Sequence, residues 1–149
     1  MLAIEIEDIK KFMSCLLIEN CFDSFFLVRA EIKTAVSYEI DGKQNASFYD
    51  TDEREAFAAS PYIRWGEIKP VVMNMIKGKR LPVKMKISLL GNVNRPEFDY
   101  NMNVLYENGS LKLVTNVSSK QFSLEKPDEG EWNRYIIESL KKNGIAPIM

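Results

Sequence analysis

Five cations fall within ten residues: Lys77, Lys79, Arg80, Lys84 and Lys86. That density of positive charge suits phosphate groups or nucleic acid. Tyr62 and Trp65 stand just before it, and aromatic rings can stack on bases. The same charges also have an ordinary structural account. Cations after a helical stretch meet the negative end of its dipole, and lysines on one side of a strand keep it soluble and discourage edge pairing. Trp65 likewise reads more naturally as a core anchor. A second cluster, Asp50, Asp52, Glu53 and Glu55, gathers four carboxylates that could hold magnesium or calcium for metal-assisted chemistry. It lacks the spaced glycine and terminal glutamate of a calcium loop. A solvated acidic helix start is the simpler reading.

The chain contains no histidine. This removes His-based catalytic triads and dyads, together with most zinc and haem sites. Ile76-Lys-Gly-Lys-Arg80 follows a helix, whereas a phosphate-binding glycine loop precedes one. No serine or cysteine stands in a recognisable nucleophile motif. The two cysteines, Cys15 and Cys21, have no metal-type spacing partner. Cys15 falls in an apolar helical pattern and reads as a small core residue; Cys21 falls in the turn that follows. A disulfide between them is open, but not expected in a chain without an export signal.

These residues must be positioned by a chain of 149 residues, 46% hydrophobic, 28% charged and of net charge −1. The expectation is one globular domain, 1–149, with a core that needs neither metal nor disulfide. The near-zero net charge means that any nucleic-acid binding must come from local asymmetry. Glu5, Glu7 and Asp8 interrupt the first apolar residues, so no signal peptide is read. No stretch is long and apolar enough to cross a membrane. Cytoplasmic location is the resulting expectation.

Hydrophobic period assigns the elements. Leu2, Ile4 and Ile6 alternate as a first strand. Ile9, Met13, Leu16 and Leu17, flanked by Phe12, form a helical stripe. Strand character returns from Asp23, with Phe26, Val28, Ala30 and Ile32 on one face and Phe25, Leu27, Arg29, Glu31 and Lys33 on the other. A further strand over Val36 to Ile40 ends at Asp41-Gly42, a hairpin signal, and residues 43 to 49 return as a short strand. A short helix follows from Asp50 towards Phe57, and Ser60-Pro61 reads as a helix cap. Trp65, Ile68, Val72, Met75 and Ile76 define the main helix. Pro70 confines its start to Gly66–Ile68, and Gly78 is its stop. Val83, Met85, Ile87 and Leu89 then alternate against Lys84, Lys86 and Ser88. Phe98 to Tyr106 and Leu111 to Val117 form two strands joined at Asn108-Gly109. A short segment follows at Phe122 and Leu124. Asp128 with Glu131 caps the last helix, which carries Trp132, Tyr135, Ile136 and Leu140 and stops at Gly144. The sum is an α+β fold: a mostly antiparallel sheet of about seven or eight strands, with three main helices packed on it.

Several strings together resemble an uncharacterised family, a domain of unknown function from gut-associated Gram-positive bacteria. They are Phe22-Asp23 with Phe25-Phe26, Ile40-Asp41-Gly42, Phe48-Tyr49-Asp50-Thr51, Trp65 with Glu67 and Lys69-Pro70, Ile76 to Pro82, and Lys142-Asn-Gly-Ile145. Ala35 to Glu39 departs from the Thr/Phe-rich run of that family. The resemblance spans nearly the whole chain and implies no activity. The order of elements is also similar to one domain of a DNA sliding clamp, where helices line a basic channel and sheets face outward. Element order does not determine function.

The leading expectation is therefore a non-enzymatic cytoplasmic interaction domain, without cofactor or membrane association. Its partner would be another protein or a second copy, joined through a sheet edge or an exposed aromatic. Nucleic-acid binding through Lys77, Lys79, Arg80, Lys84 and Lys86 is the second reading, and a metal-assisted enzyme at residues 50–55 the third.

Overall fold

The computed structural model describes residues 1–55, 61–76, 81–91, 97–119 and 129–148. The chain forms β1 (Leu2–Ile6), α1 (Ile9–Leu17), β2 (Phe26–Lys33) and β3 (Ser37–Asp41), then a 3-10 turn at Ala46–Phe48. Next come α2 (Thr51–Glu55), α3 (Trp65–Met75), β4 (Lys84–Leu90), β5 (Phe98–Glu107), β6 (Ser110–Ser119), α4 (Glu129–Lys142) and a two-residue β7 (Pro147–Ile148). The strands form one antiparallel sheet in the order β3-β2-β4-β5-β6-β1-β7. Six strands of five residues or more carry it, and β7 adds a short edge. The architecture is α+β, with three main helices.

Period two explains the core strands. Tyr100, Met102, Val104 and Tyr106 of β5 and Leu111, Leu113, Thr115 and Val117 of β6 are buried, while their alternates look outward. Asn108 (φ 51°) and Gly109 (φ 76°) both take the positive φ that a tight two-residue hairpin requires. Among the described residues, the helices cover one side of the sheet. There α1 packs on α3, α3 on β2, and α4 on β6 and β7. Aromatic rings link these layers: Phe12 meets Phe22, Phe22 meets Phe25, and Phe25 meets Trp132 at centroid distances of 6.0, 5.4 and 5.9 Å. Phe12 is thus central to the α1 stripe, and Ile9 and Met13 are its partly buried margins. In α4, Trp132, Ile136 and Leu140 are buried while Tyr135 is 51% exposed, and the helix ends before Gly144.

Five expectations need correction. First, the alternation in β2 is broken. A bulge between Leu27 and Arg29 inserts Val28, so Leu27 shares the buried face with Ala30 and Ile32 and not with Arg29. Second, Asp41-Gly42 is not a hairpin. Gly42 is buried, its N–H donates to the Val28 carbonyl at 2.9 Å, and its own carbonyl accepts from Ile63 N–H at 2.9 Å. A Cβ there would lie 1.7 Å from the Leu27 carbonyl oxygen, so glycine serves close backbone approach, not a turn. Third, the chain from Lys43 does not return as a strand. Lys43 makes one bridge to Tyr62, and a 3-10 turn follows. Fourth, α3 starts at Trp65, so Pro70 lies in its second turn. The loop before β2 stabilises this start: Trp65 N–H donates to the Phe25 carbonyl (2.7 Å) and Gly66 N–H to the Asp23 carbonyl (3.1 Å). Fifth, Val83 is 63% exposed, because β4 begins one residue later and the core does not reach it. The stop at Gly78, the Ser60 cap, the segment at Phe122 and Leu124, and the Asp128 cap lie outside the described residues.

Candidate interaction face

The side of the sheet opposite the helices is largely polar, and no described helix covers it. Strand register sets its side chains in rows. One row runs Glu39, Glu31, Lys86, Leu105, Lys112, Glu5 across β3, β2, β4, β5, β6 and β1. The next runs Ser37, Lys33, Lys84, Glu107, Ser110. A third sets Arg29 beside Ser88, Asn103 and Val114, with the Ser88 hydroxyl donating to Asn103 Oδ1 at 2.7 Å. A shallow depression of about 780 Å³ lies over β4, β5 and β6, with Lys84, Lys86 and Lys112 on its lining against one carboxylate, Glu107. Leu105 and Val114 give it an apolar floor.

Electrostatically the face divides in two. Towards β3, Arg29 pairs with Glu39 at 2.5 Å and Glu31 at 3.1 Å. Hydrogen bonding and attraction from Glu39, then attraction from Glu31, raise the guanidinium pKa above its already high ordinary value. On β2, β4 and β6, none of Lys33, Lys84, Lys86 and Lys112 reaches ion-pair distance of a carboxylate among the described residues, although Glu107, Glu31 and Glu5 stand opposite Lys84, Lys86 and Lys112 in register. Lys33 stands directly opposite Lys84, an arrangement of like charges that disfavours the isolated sheet. An anion laid across these side chains would relieve that repulsion.

The sequence-derived candidates fare unequally. Lys84 and Lys86 lie on this face, and the fold brings Lys33 and Lys112 to them. Lys77, Lys79 and Arg80 lie outside the described residues. Trp65 is fully buried, its indole N–H donating to the Leu16 carbonyl at 2.8 Å, so it cannot stack on a base. Tyr62 is half-buried beside Lys43. In the acidic cluster, Glu53 accepts from the Asp50 backbone N–H at 3.1 Å, the returning half of a capping box. Among the described residues its carboxylates do not converge on a shared ion position. Lys112 and the Ser88–Asn103 pair were missed by the reading of charge density along the chain. Their signal was the polar alternate set of β4, β5 and β6, which becomes a surface only after register is set.

The cysteines also need correction. Cys15 and Cys21 form a disulfide, across a Cα–Cα distance of 5.6 Å. The turn after α1 doubles back and brings Cys21 onto the helix end, a proximity that sequence spacing alone did not establish.

The profile of a family of unknown function (DUF5721) matches residues 15–98 and 92–146, two overlapping stretches covering most of the chain. The chain belongs to that family. The resemblance to an uncharacterised family is thereby shown, and DUF5721 membership assigns no activity. Neither a curated protein nor a solved structure matches the chain. No described helix is long and apolar enough to cross a membrane.

Proposed function

We propose that this DUF5721 chain is a non-enzymatic, cytoplasmic interaction domain that seats an acidic protein segment on its open sheet face. The observation that carries the reading is the sheet face that no described helix covers, where Lys84, Lys86 and Lys112 line a depression with an apolar floor and Lys33 stands opposite Lys84. A segment with carboxylates spaced by apolar side chains complements both features. Nucleic acid shares the charge requirement but gains affinity on single strands from exposed rings. The aromatic residue beside the depression is Tyr106, which is 4% exposed and belongs to the core. The clamp analogy is weakened by placement, because Lys84 and Lys86 lie on the sheet face away from the helices, whereas in a clamp the helices line the basic channel.

The test is a titration of a labelled synthetic peptide of alternating glutamate and leucine, beside single- and double-stranded oligonucleotides. Wild type and the combined Lys84→Glu, Lys86→Glu, Lys112→Glu variant are compared at low and moderate salt. Peptide binding that falls by about a factor of 100 or more in the variant, as for loss of three charge contacts of about 1 kcal/mol each, supports the reading. Oligonucleotide binding that is tighter, salt-steep and lost in the variant would replace it with the nucleic-acid reading. Absence of both would reject the face as a charged docking surface.

A further inference from the structure

We infer that Cys15, Cys21 and Glu19 form a redox-gated site for a soft divalent cation, zinc above all. The two sulfurs and a Glu19 carboxylate oxygen all lie within 4.8 Å of one another. Cys15 is 1% exposed, Cys21 is half-buried and Glu19 is exposed, so the cluster is anchored in the core and opens to solvent on one side. Two thiolates and a carboxylate suit zinc, and three protein ligands leave one position open to water.

As a disulfide the sulfurs carry no thiolate charge and the site is closed. Opening it requires a two-electron reductant, a dithiol of the thioredoxin class. The S–S bond breaks, each cysteine sulfur gains one electron and one proton, and the dithiol becomes its own disulfide. Zinc then binds Cys15 Sγ and Cys21 Sγ with release of their two protons, the Glu19 carboxylate completing the protein ligands. The end of α1 is the negative end of its dipole and disfavours a free thiolate there; a bound cation overcomes that penalty, since coordination deprotonates a thiol outright.

The ligands stay together after reduction because other contacts hold the turn. Ile18 and Glu19 N–H groups both donate to the Ser14 carbonyl at 2.9 and 2.8 Å. Lys69 Nζ donates to the Glu19 carbonyl at 2.8 Å and pairs with Asp23 at 2.6 Å. Phe22 and Phe25, which follow Cys21 in the chain, are buried in the core. The site also fits a cytoplasmic setting, where a disulfide is usually transient and redox-linked rather than a permanent brace.

The experiment reduces the full chain with a phosphine, removes it by anaerobic gel filtration, and titrates cobalt and then zinc. Reduced wild type is expected to bind one ion per chain with a thiolate-to-cobalt charge-transfer band, which zinc abolishes. The oxidised chain is expected to bind none. Glu19→Gln, at an exposed position that leaves the fold intact, should weaken binding by about tenfold or more, the loss that even an outer partner causes. Cys15→Ser and Cys21→Ser should each remove the band. Absence of the band in the reduced wild type would overturn the inference. Equal binding by oxidised and reduced chains, or by Glu19→Gln and wild type, would overturn it too.

Discussion

Trp65 shows how much one side chain can hold. It is fully buried and its indole N–H reaches the Leu16 carbonyl at 2.8 Å, tying α3 to α1. Trp65→Ala is expected to cost about 3–5 kcal/mol, the range for emptying an aromatic core position. Trp65→Phe keeps most of the volume but leaves a buried carbonyl unpaired, for about 1–3 kcal/mol. Urea unfolding followed by circular dichroism checks both. A loss below about 1 kcal/mol for the alanine variant would contradict the packing described. The burial was legible, because Trp65 leads a 3-4-spaced apolar stripe. The hydrogen bond was not, since Leu16 lies 49 residues away.

Among the elements, two dipeptides with the same local signal have different outcomes. Asn108-Gly109 turns the chain because ten-residue strands on either side pair in register. Asp41-Gly42 does not, because the next segment joins Tyr62 and Ile63 instead of returning along β3. Gly42→Ala would push a Cβ into the Leu27 carbonyl and break the Val28 and Ile63 hydrogen bonds. Overpacking of about 1–3 kcal/mol and hydrogen bonds of about 1 kcal/mol each give a loss near 3 kcal/mol or more. In a thermal melt this lowers Tm by roughly 10 °C for a chain of this size. An unchanged Tm would mean that the β2 bulge opens freely to admit the methyl group. The same bulge explains why the faces of β2 were read wrongly: one inserted residue inverts every later side chain.

For the molecule as a whole, the sheet order puts β1 between β6 and β7, and the Met1 amino group pairs with the Glu129 carboxylate at the start of α4. Hydrogen bonding to that amino group, its charge, and a backbone hydrogen bond from Val117 hold the Glu129 pKa below its ordinary value against a desolvation effect that raises it. A folded pKa below the unfolded one adds stability that is fully present above the unfolded value and lost as pH falls through the folded one. Glu129→Gln should therefore lower the urea midpoint slightly at pH ~6, with the difference from wild type vanishing towards pH ~3. The pair is exposed, with side chains 73% and 37% accessible, so the effect is small. A difference that grows on acidification would reverse the sign and dismiss the pair. The open face is a property of this same scale. Lys33, Lys84 and Lys112 are far apart in the chain and meet only through the β2-β4-β5-β6 ladder.

Taken alone, the sequence determined the fold class, the three main helices, the burial of Met85, Ile87 and Leu89 in β4, the buried sets of β5 and β6, the Asn108-Gly109 turn and the burial of Trp65. Each rests on period or local backbone chemistry, whose range is a few residues. The tertiary structure decided the bulge in β2, the close approach at Gly42, the early start of α3, the Cys15–Cys21 pairing and the grouping of lysines from three strands. Each depends on which distant segment supplies the neighbouring backbone or charge, and periodicity along one strand or helix carries no information about that.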